Sequence, residues 1–154
     1  RFGAVLGVGA AAAAGDAGGA KVVVFSRFEQ TLSLLARACA MHAIRTASSG
    51  GARGSLQHEV SLFCADPAVQ ALLLSAHRNA SGLTLTAACH VLILEPQIDA
   101  ATEQQMIGRV HRIGQTRQTH VHRIVVRGSF EEGLGAERQA LAQQQQEQPE
   151  AEQC

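Results

Sequence analysis

The chain has 154 residues, 46% of them apolar, with 13 basic and 13 acidic side chains and a formal net charge of zero. That is enough for one domain with a real hydrophobic core, and with no Trp or Tyr and only five Phe the core must be aliphatic and Ala-rich. No stretch is long and apolar enough to span a membrane, and Cys39, Cys64, Cys89 and Cys154 form no Cys-x-x-Cys pair, which argues against a zinc site or a disulfide framework and for a reducing intracellular compartment.

Residues 1–20 hold eight Ala and six Gly. The run mimics a secretory signal but is broken by glycines, and it reads as low-complexity linker. Arg1 in place of Met points to a fragment of a longer protein. Val22–Phe25 is a short continuous apolar run, as a buried parallel strand requires. Phe28, Leu32, Leu35 and Cys39 then recur at helical spacing. Ile44–Thr46 predicts a second strand, and Ser48–Ser55 a Gly/Ser-rich loop. Leu56, Val60 and Phe63 form another helical stripe, broken at Asp66-Pro67, and Val69–Leu74 returns to a buried strand. Gly82–Cys89 predicts a short helix and Val91–Leu94 a strand. Asp99 can cap the next helix. Thr119–Val126 reads as a strand, and Phe130–Gln146 as a helix fading into a Gln/Glu-rich disordered tail. Strands alternating with helices give an α/β domain over residues 21–132 with a mostly parallel sheet, followed by a tail over 133–154.

In such sheets ligands sit at the carboxyl ends of strands. Ser26-Arg27, Ser75–Gly82 and Glu95 all fall at such ends. Within a helix, Gln105, Arg109 and Arg112 share one face at i, i+4 and i+7, while Met106, Ile107, Val110 and Ile113 take the neighbouring face at core spacing. Two always-charged guanidinium forks suit the spreading charge of a transferring phosphoryl group. Gly108 between them permits close backbone approach. A helix beginning after Gly82 would offer free N–H groups to an anion. From Arg109 to Arg127 there are five Arg, three His and no acid, and from Glu131 to Cys154 six Glu and one Arg, so a polyanion site beside a solvated acidic end is expected. His111, His120 and His122 lack metal spacing and read as surface or packing residues, and Cys89 reads as a small core residue. A phosphate-binding loop is missing. Lys21, the one lysine, ends the near miss Gly15-Asp-Ala-Gly-Gly-Ala-Lys21, which precedes a strand instead of following one.

Gln105-Met-Ile-Gly-Arg-Val-His-Arg112 resembles motif VI of superfamily-two helicases, Q-x-x-G-R-x-x-R, and the continuation His111-Arg-Ile-Gly-Gln-Thr-Arg117 narrows it to the Swi/Snf-type DNA-translocating ATPases. Lys21–Phe28 resembles the motif IV strand, and Leu72–Ser75 with Ser81–Pro96 resembles motif V and its strand. The wording Gly108–Thr116 is most similar to the SHPRH-like branch, whose members carry a RING ubiquitin-ligase module; no RING finger can be built from this chain's cysteines. The resemblance implies the second RecA-like lobe of a two-lobe motor, a three-layer sandwich. It implies that Arg109 and Arg112 are arginine fingers, and that Gln105, Gly108 and Gly82 lie by the nucleotide. It implies that Ser26, Arg27, Ser81 and Thr84 face the DNA backbone. ATP and Mg2+ would be held mainly by an N-terminal RecA-like lobe, so the lone lobe is not expected to be active; no metal site of its own is expected. The implied partners are that lobe, duplex DNA or chromatin, and ubiquitin machinery through a RING outside this chain, in the nucleus and not at a membrane. An RNA helicase lobe and a truncated, non-enzymatic binding module stay open as alternatives. Two stretches depart from the family pattern: Asn79-Ala80, where a second Gly is usual, and Thr46–Arg53, where an acidic turn is usual.

Overall fold

A computed structural model of the chain describes residues 19–48, 55–76, 82–97 and 99–133. The expected linker before Gly19, the centre of the Ser48–Ser55 loop, Ser81, and the helix and tail expected beyond Gly133 lie outside the described residues.

Three of the apolar runs become strands buried along their length: β1 (Val22–Ser26), β3 (Val69–Ser75) and β4 (His90–Ile93). Two more polar strands flank them, β2 (Arg45–Ser48) and β5 (His120–Arg123). The sheet order is β2-β3-β1-β4-β5, and every pairing is parallel. The helical stripes become α1 (Glu29–Met41), α2 (Leu56–Ala65) and α3 (Ala100–Val110). Ser55 caps α2 by accepting from the His58 N–H, and Asp99 caps α3 by accepting from the N–H groups of Ala101 and Thr102.

The period of two along β1, β3 and β4 splits the core into two layers. Val23, Phe25, Leu72, Leu74, Val91 and Ile93 pack with Phe63 of α2 and with Met106 and Val110 of α3. Val22, Val24, Ala71, Leu73 and Leu92 pack on the other face with Leu32 of α1. A sheet covered on both faces explains why its central strands read as unbroken apolar runs. The result is the expected three-layer, RecA-like α/β sandwich.

Three local expectations are corrected. Gly82–Cys89 is not a helix: apart from a turn at Thr86-Ala87 the segment is irregular. Its backbone groups are spent across the chain, the Leu85 N–H on Arg109 O (2.9 Å) and the carbonyls of Thr86, Ala87 and Ala88 on side chains of Gln115 and Arg117. In a helix the Leu85 N–H would point back along the segment itself and not across to Arg109 O. The helix of the two arginines stops at Val110, so Arg112 lies beyond it. His111 leaves helical geometry at ψ 84°, and a turn follows, closed by the Gln115 N–H on Arg112 O with Gly114 at φ +101°. Ile113 is consequently not core but fully exposed, whereas Met106 and Val110 are buried. The last strand is four residues, His120–Arg123, rather than Thr119–Val126.

Candidate functional site

At the carboxyl ends of β1 and β4 a carboxylate organises the turn. Glu95 accepts from the Ser26 hydroxyl (2.9 Å) and from the Arg27 N–H (3.0 Å). The same hydroxyl oxygen accepts from the Phe28 N–H at 3.0 Å. Ser26 is fully buried, so it offers no side-chain surface to a ligand; Arg27 follows it on a half-buried position at the mouth of the turn. Glu95 was legible only as a strand-end residue. Its role needs β1 and β4 side by side, which the pairing of Phe25 with Ile93 provides.

Beside this turn, α3 presents Gln105 and Arg109 to a narrow crevice also lined by Phe25, Ser75, Ala76, Thr102 and Met106. Partial burial, and then the charge of Arg112, hold the Arg109 pKa below its usual value; a guanidinium remains charged at neutral pH even so. Gly108 is exposed, and a Cβ built there would meet nothing within 4 Å, so its missing side chain leaves room on the outside of the lobe and not for a neighbour within it. Arg112 Nη1 donates to Thr84 Oγ1 at 3.1 Å. Gly82 adopts φ +82°, a left-handed conformation that glycine takes without a Cβ penalty. With no helix after Gly82, the predicted helix-terminal anion site is replaced by an extended loop whose exposed polar group is Thr84. Among the described site residues, Gln105, Arg109, Arg112 and Thr84 are thus carried by α3, the turn after it and the adjoining loop, and Arg112 and Thr84 touch.

The run of cations from 109 to 127 does not form one patch. Arg112 lies on Thr84, Arg117 donates to Ala87 O, and Arg123 Nε lies 2.6 Å from Glu103 Oε1. Spacing along a chain does not decide spacing in space once the chain turns at Gly114. Lys21 sits just before β1, at the opposite end of that strand from Arg27 and beside Arg117. Its ammonium donates to Phe63 O and to Asp66 O (2.9 Å) at the end of α2 and lies 5.0 Å from the centre of the Phe63 ring. It therefore caps the negative end of a helix dipole and has no free geometry for a phosphate cradle. Among the described residues no group of three or more His, Cys, Asp or Glu is placed to hold a metal.

Gln115 is the residue that sequence reasoning missed. Its amide Nε2 lies against Thr86 O (3.2 Å), Ala88 O (2.6 Å) and Val110 O (3.2 Å), and its Oε1 accepts from the Arg117 N–H (3.0 Å). Periodicity carries no sign of it, because it follows the end of the helix.

Residues 12–114 match the family model described as the helicase conserved C-terminal domain. The chain belongs to this family. The helicase lobe is 40% identical over 118 residues to the E3 ubiquitin-protein ligase SHPRH of Homo sapiens, an alignment covering 77% of this chain and 7% of that protein. It is 32% identical over 120 residues to the DNA repair protein RAD5A of Arabidopsis thaliana, covering 77% and 12%. The helicase lobe thus spans about a tenth of the length of these curated relatives. Its fold matches the crystal structure of the C-terminal part of the Fun30 ATPase domain with a TM-score of 0.69 at 24% identity, over 76% of this chain and 38% of that one. The lobe is accordingly the C-terminal helicase domain of a Swi/Snf-type protein, with an SHPRH-type ligase among its relatives, as its motif strings imply.

Proposed function

We propose that this lobe is the second half of an ATP-driven translocase on duplex DNA, and that it closes on an N-terminal RecA-like lobe to complete the hydrolytic site. The single observation that supports this reading best is the 3.1 Å contact between Arg112 and Thr84: the group suited to a phosphoryl charge and the loop suited to a DNA backbone meet in one hydrogen bond.

The residues present fit one side of a nucleotide site only. Arg109, Arg112 and Gln105 can face a triphosphate, while the lysine of this chain is committed to α2. ATP with Mg2+, held mainly by the other lobe, supplies the transferring phosphoryl group. Arg109 and Arg112 place two planar, permanently charged donors where its charge spreads. Gln105 orients that approach, and Gly108 and Gly82 leave the outer surface open to it. On the nucleic-acid side, Arg27, Thr84 and Ser81 meet backbone phosphates, which position a duplex without reading its sequence. Ser26 serves by holding the Arg27 turn through Glu95. The relatives' names, a ubiquitin-protein ligase and a DNA repair protein, support a nuclear chromatin or repair setting, with ubiquitin machinery engaged through a RING outside this chain. Residues 1–20 serve as linker and 133–154 as a tail beyond the lobe.

The test is Arg112→Ala in the full-length protein carrying this lobe, with kcat for DNA-stimulated ATP hydrolysis and the melting temperature measured together. Turnover should fall on the order of 10³-fold, as for arginine fingers elsewhere, with the melting temperature within a few degrees of wild type. Arg112→Lys should fail nearly as badly, because a point charge does not copy the planar fork. Near-normal turnover in both variants refutes the finger role. A joint collapse of turnover and melting temperature makes Arg112 structural.

A further inference from the structure

Gln115 closes a clasp between two stretches nearly thirty residues apart in sequence. One is the loop Leu83–Ala88, which carries Thr84. The other is the end of α3 and the turn after it, which carry Arg109 and Arg112. Val110 O belongs to the last turn of α3, where carbonyls have no partner within the helix. Thr86 O and Ala88 O belong to a loop with no ladder of its own. A single amide nitrogen serves all three, its two hydrogens shared among the acceptors at 2.6–3.2 Å. Its orientation is set by chemistry: the three surrounding atoms only accept, and the Arg117 N–H on the other side only donates. Glu could not donate there, Lys could not accept from Arg117, and Asn would fall a methylene short.

Two further bonds run across the same seam, the Leu85 N–H to Arg109 O (2.9 Å) and the Arg117 guanidinium to Ala87 O. Together they make loop and helix end one body, in which Arg112 and Thr84 hold each other in register. We infer that Gln115 is a positioning residue that couples the DNA-facing loop to the arginine at the nucleotide: by clamping Ala88 and Thr86 to Val110, it makes a phosphate landing at Thr84 felt as a change at Arg112. This rests on the reading of the lobe as a DNA-stimulated ATPase. Gln115 touches neither nucleotide nor DNA in this scheme, so removing it should loosen coupling and not either binding step.

The experiment compares wild type, Gln115→Met and Gln115→Asn in the full-length protein. Met keeps the length and loses the amide; Asn keeps the amide and loses the reach. Gln118→Met, at an exposed neighbour, is the control. The readouts are ATP turnover without DNA, maximal turnover with a duplex oligonucleotide, the DNA concentration giving half-stimulation, and the melting temperature. The ratio of stimulated to DNA-free turnover should fall about tenfold in both Gln115 variants, the scale on which a small misplacement of a reacting group acts, and stay unchanged in Gln118→Met. Half-stimulation should remain within about threefold of wild type, since a change in kcat without a matching change in half-saturation marks a lost positioning effect. Hydrogen exchange on the 154-residue chain supplies a measurement independent of activity: the Leu85 and Ala88 amides should exchange faster in Gln115→Met, with β1 and β3 unaltered. An unchanged ratio in the two Gln115 variants overturns the inference alone. So does a ratio restored by more DNA, which would make Gln115 an affinity residue, or equal losses with and without DNA, which would report only a smaller folded fraction. A wild type with no DNA stimulation overturns the motor reading and the inference with it.

Discussion

Glu103 is a buried carboxylate in a helix that otherwise hides Met106 and Val110. Its side chain is 5% exposed, and Arg123 of β5, 45% exposed, reaches it at 2.6 Å. Burying a carboxylate without a donor is costly, so the pair matters less for its attraction than for what is left when one member goes. Arg123→Ala should cost about 1–3 kcal/mol, the penalty for under-satisfying a buried charged group. Replacing both members by Leu should cost less than that single change. Urea unfolding of the two variants checks this: a double variant less stable than Arg123→Ala contradicts it. Spacing puts position 103 on the same face as 106 and 110, so burial was legible. That an acid fills the position, and that an arginine twenty residues on answers it, was not.

The element that carries the site is α3. Its start was legible and its end was not. Asp99 caps it with bonds of 3.0 Å to the N–H groups of Ala101 and Thr102 and 2.7 Å from the Thr102 hydroxyl. Asp99→Ala should therefore destabilise the chain by about 1 kcal/mol, and Asp99→Asn by less. Equal melting temperatures for all three proteins would show that the cap adds nothing. At the other end the apolar rhythm continues to Ile113, past the point where the helix stops at Val110. The rhythm reports which side chains are apolar; it does not report that Arg109 O accepts from the Leu85 N–H of a loop elsewhere in the chain, or that Gln115 joins Val110 O to Ala88 O of that loop. The same contacts explain why Gly82–Cys89 is not helical.

Across the whole sheet, the β4–β5 pairing sets His90 opposite His120. The His90 ring stacks on that of His120 with centroids 5.1 Å apart, and its Nδ1 lies 3.2 Å from His122 Nε2. Burial first, then His120, His122 and Arg117, hold the His90 pKa below its usual 6.5. The unfolded imidazole therefore takes up a proton in a range where the folded one stays neutral. Stability is full above pH about 6.5 and is lost as pH falls through the lower folded value. The urea midpoint should drop on acidification below that pH, and His90→Gln should flatten the drop. A variant with the wild-type pH dependence would place the effect in other groups. His120 and His122 read from sequence as surface or packing residues; that they meet His90 on one sheet face is a product of strand register.

The sequence alone determined the class of fold, the central strands, the helix cap at Asp99 and the family. Each of these rests on local order: apolar runs, a period, a short string such as Gln105–Arg112. Tertiary structure alone decided what the charges do. It divided one basic run among Thr84, Ala87 and Glu103, turned the lone lysine into a helix cap, buried Ser26 behind Glu95, and made Gln115 the clasp of two motifs. The physical reason is that a polar side chain takes its role from the donor or acceptor it meets. For these residues that partner lies twenty to seventy positions away along the chain, brought near only when the parallel sheet is complete.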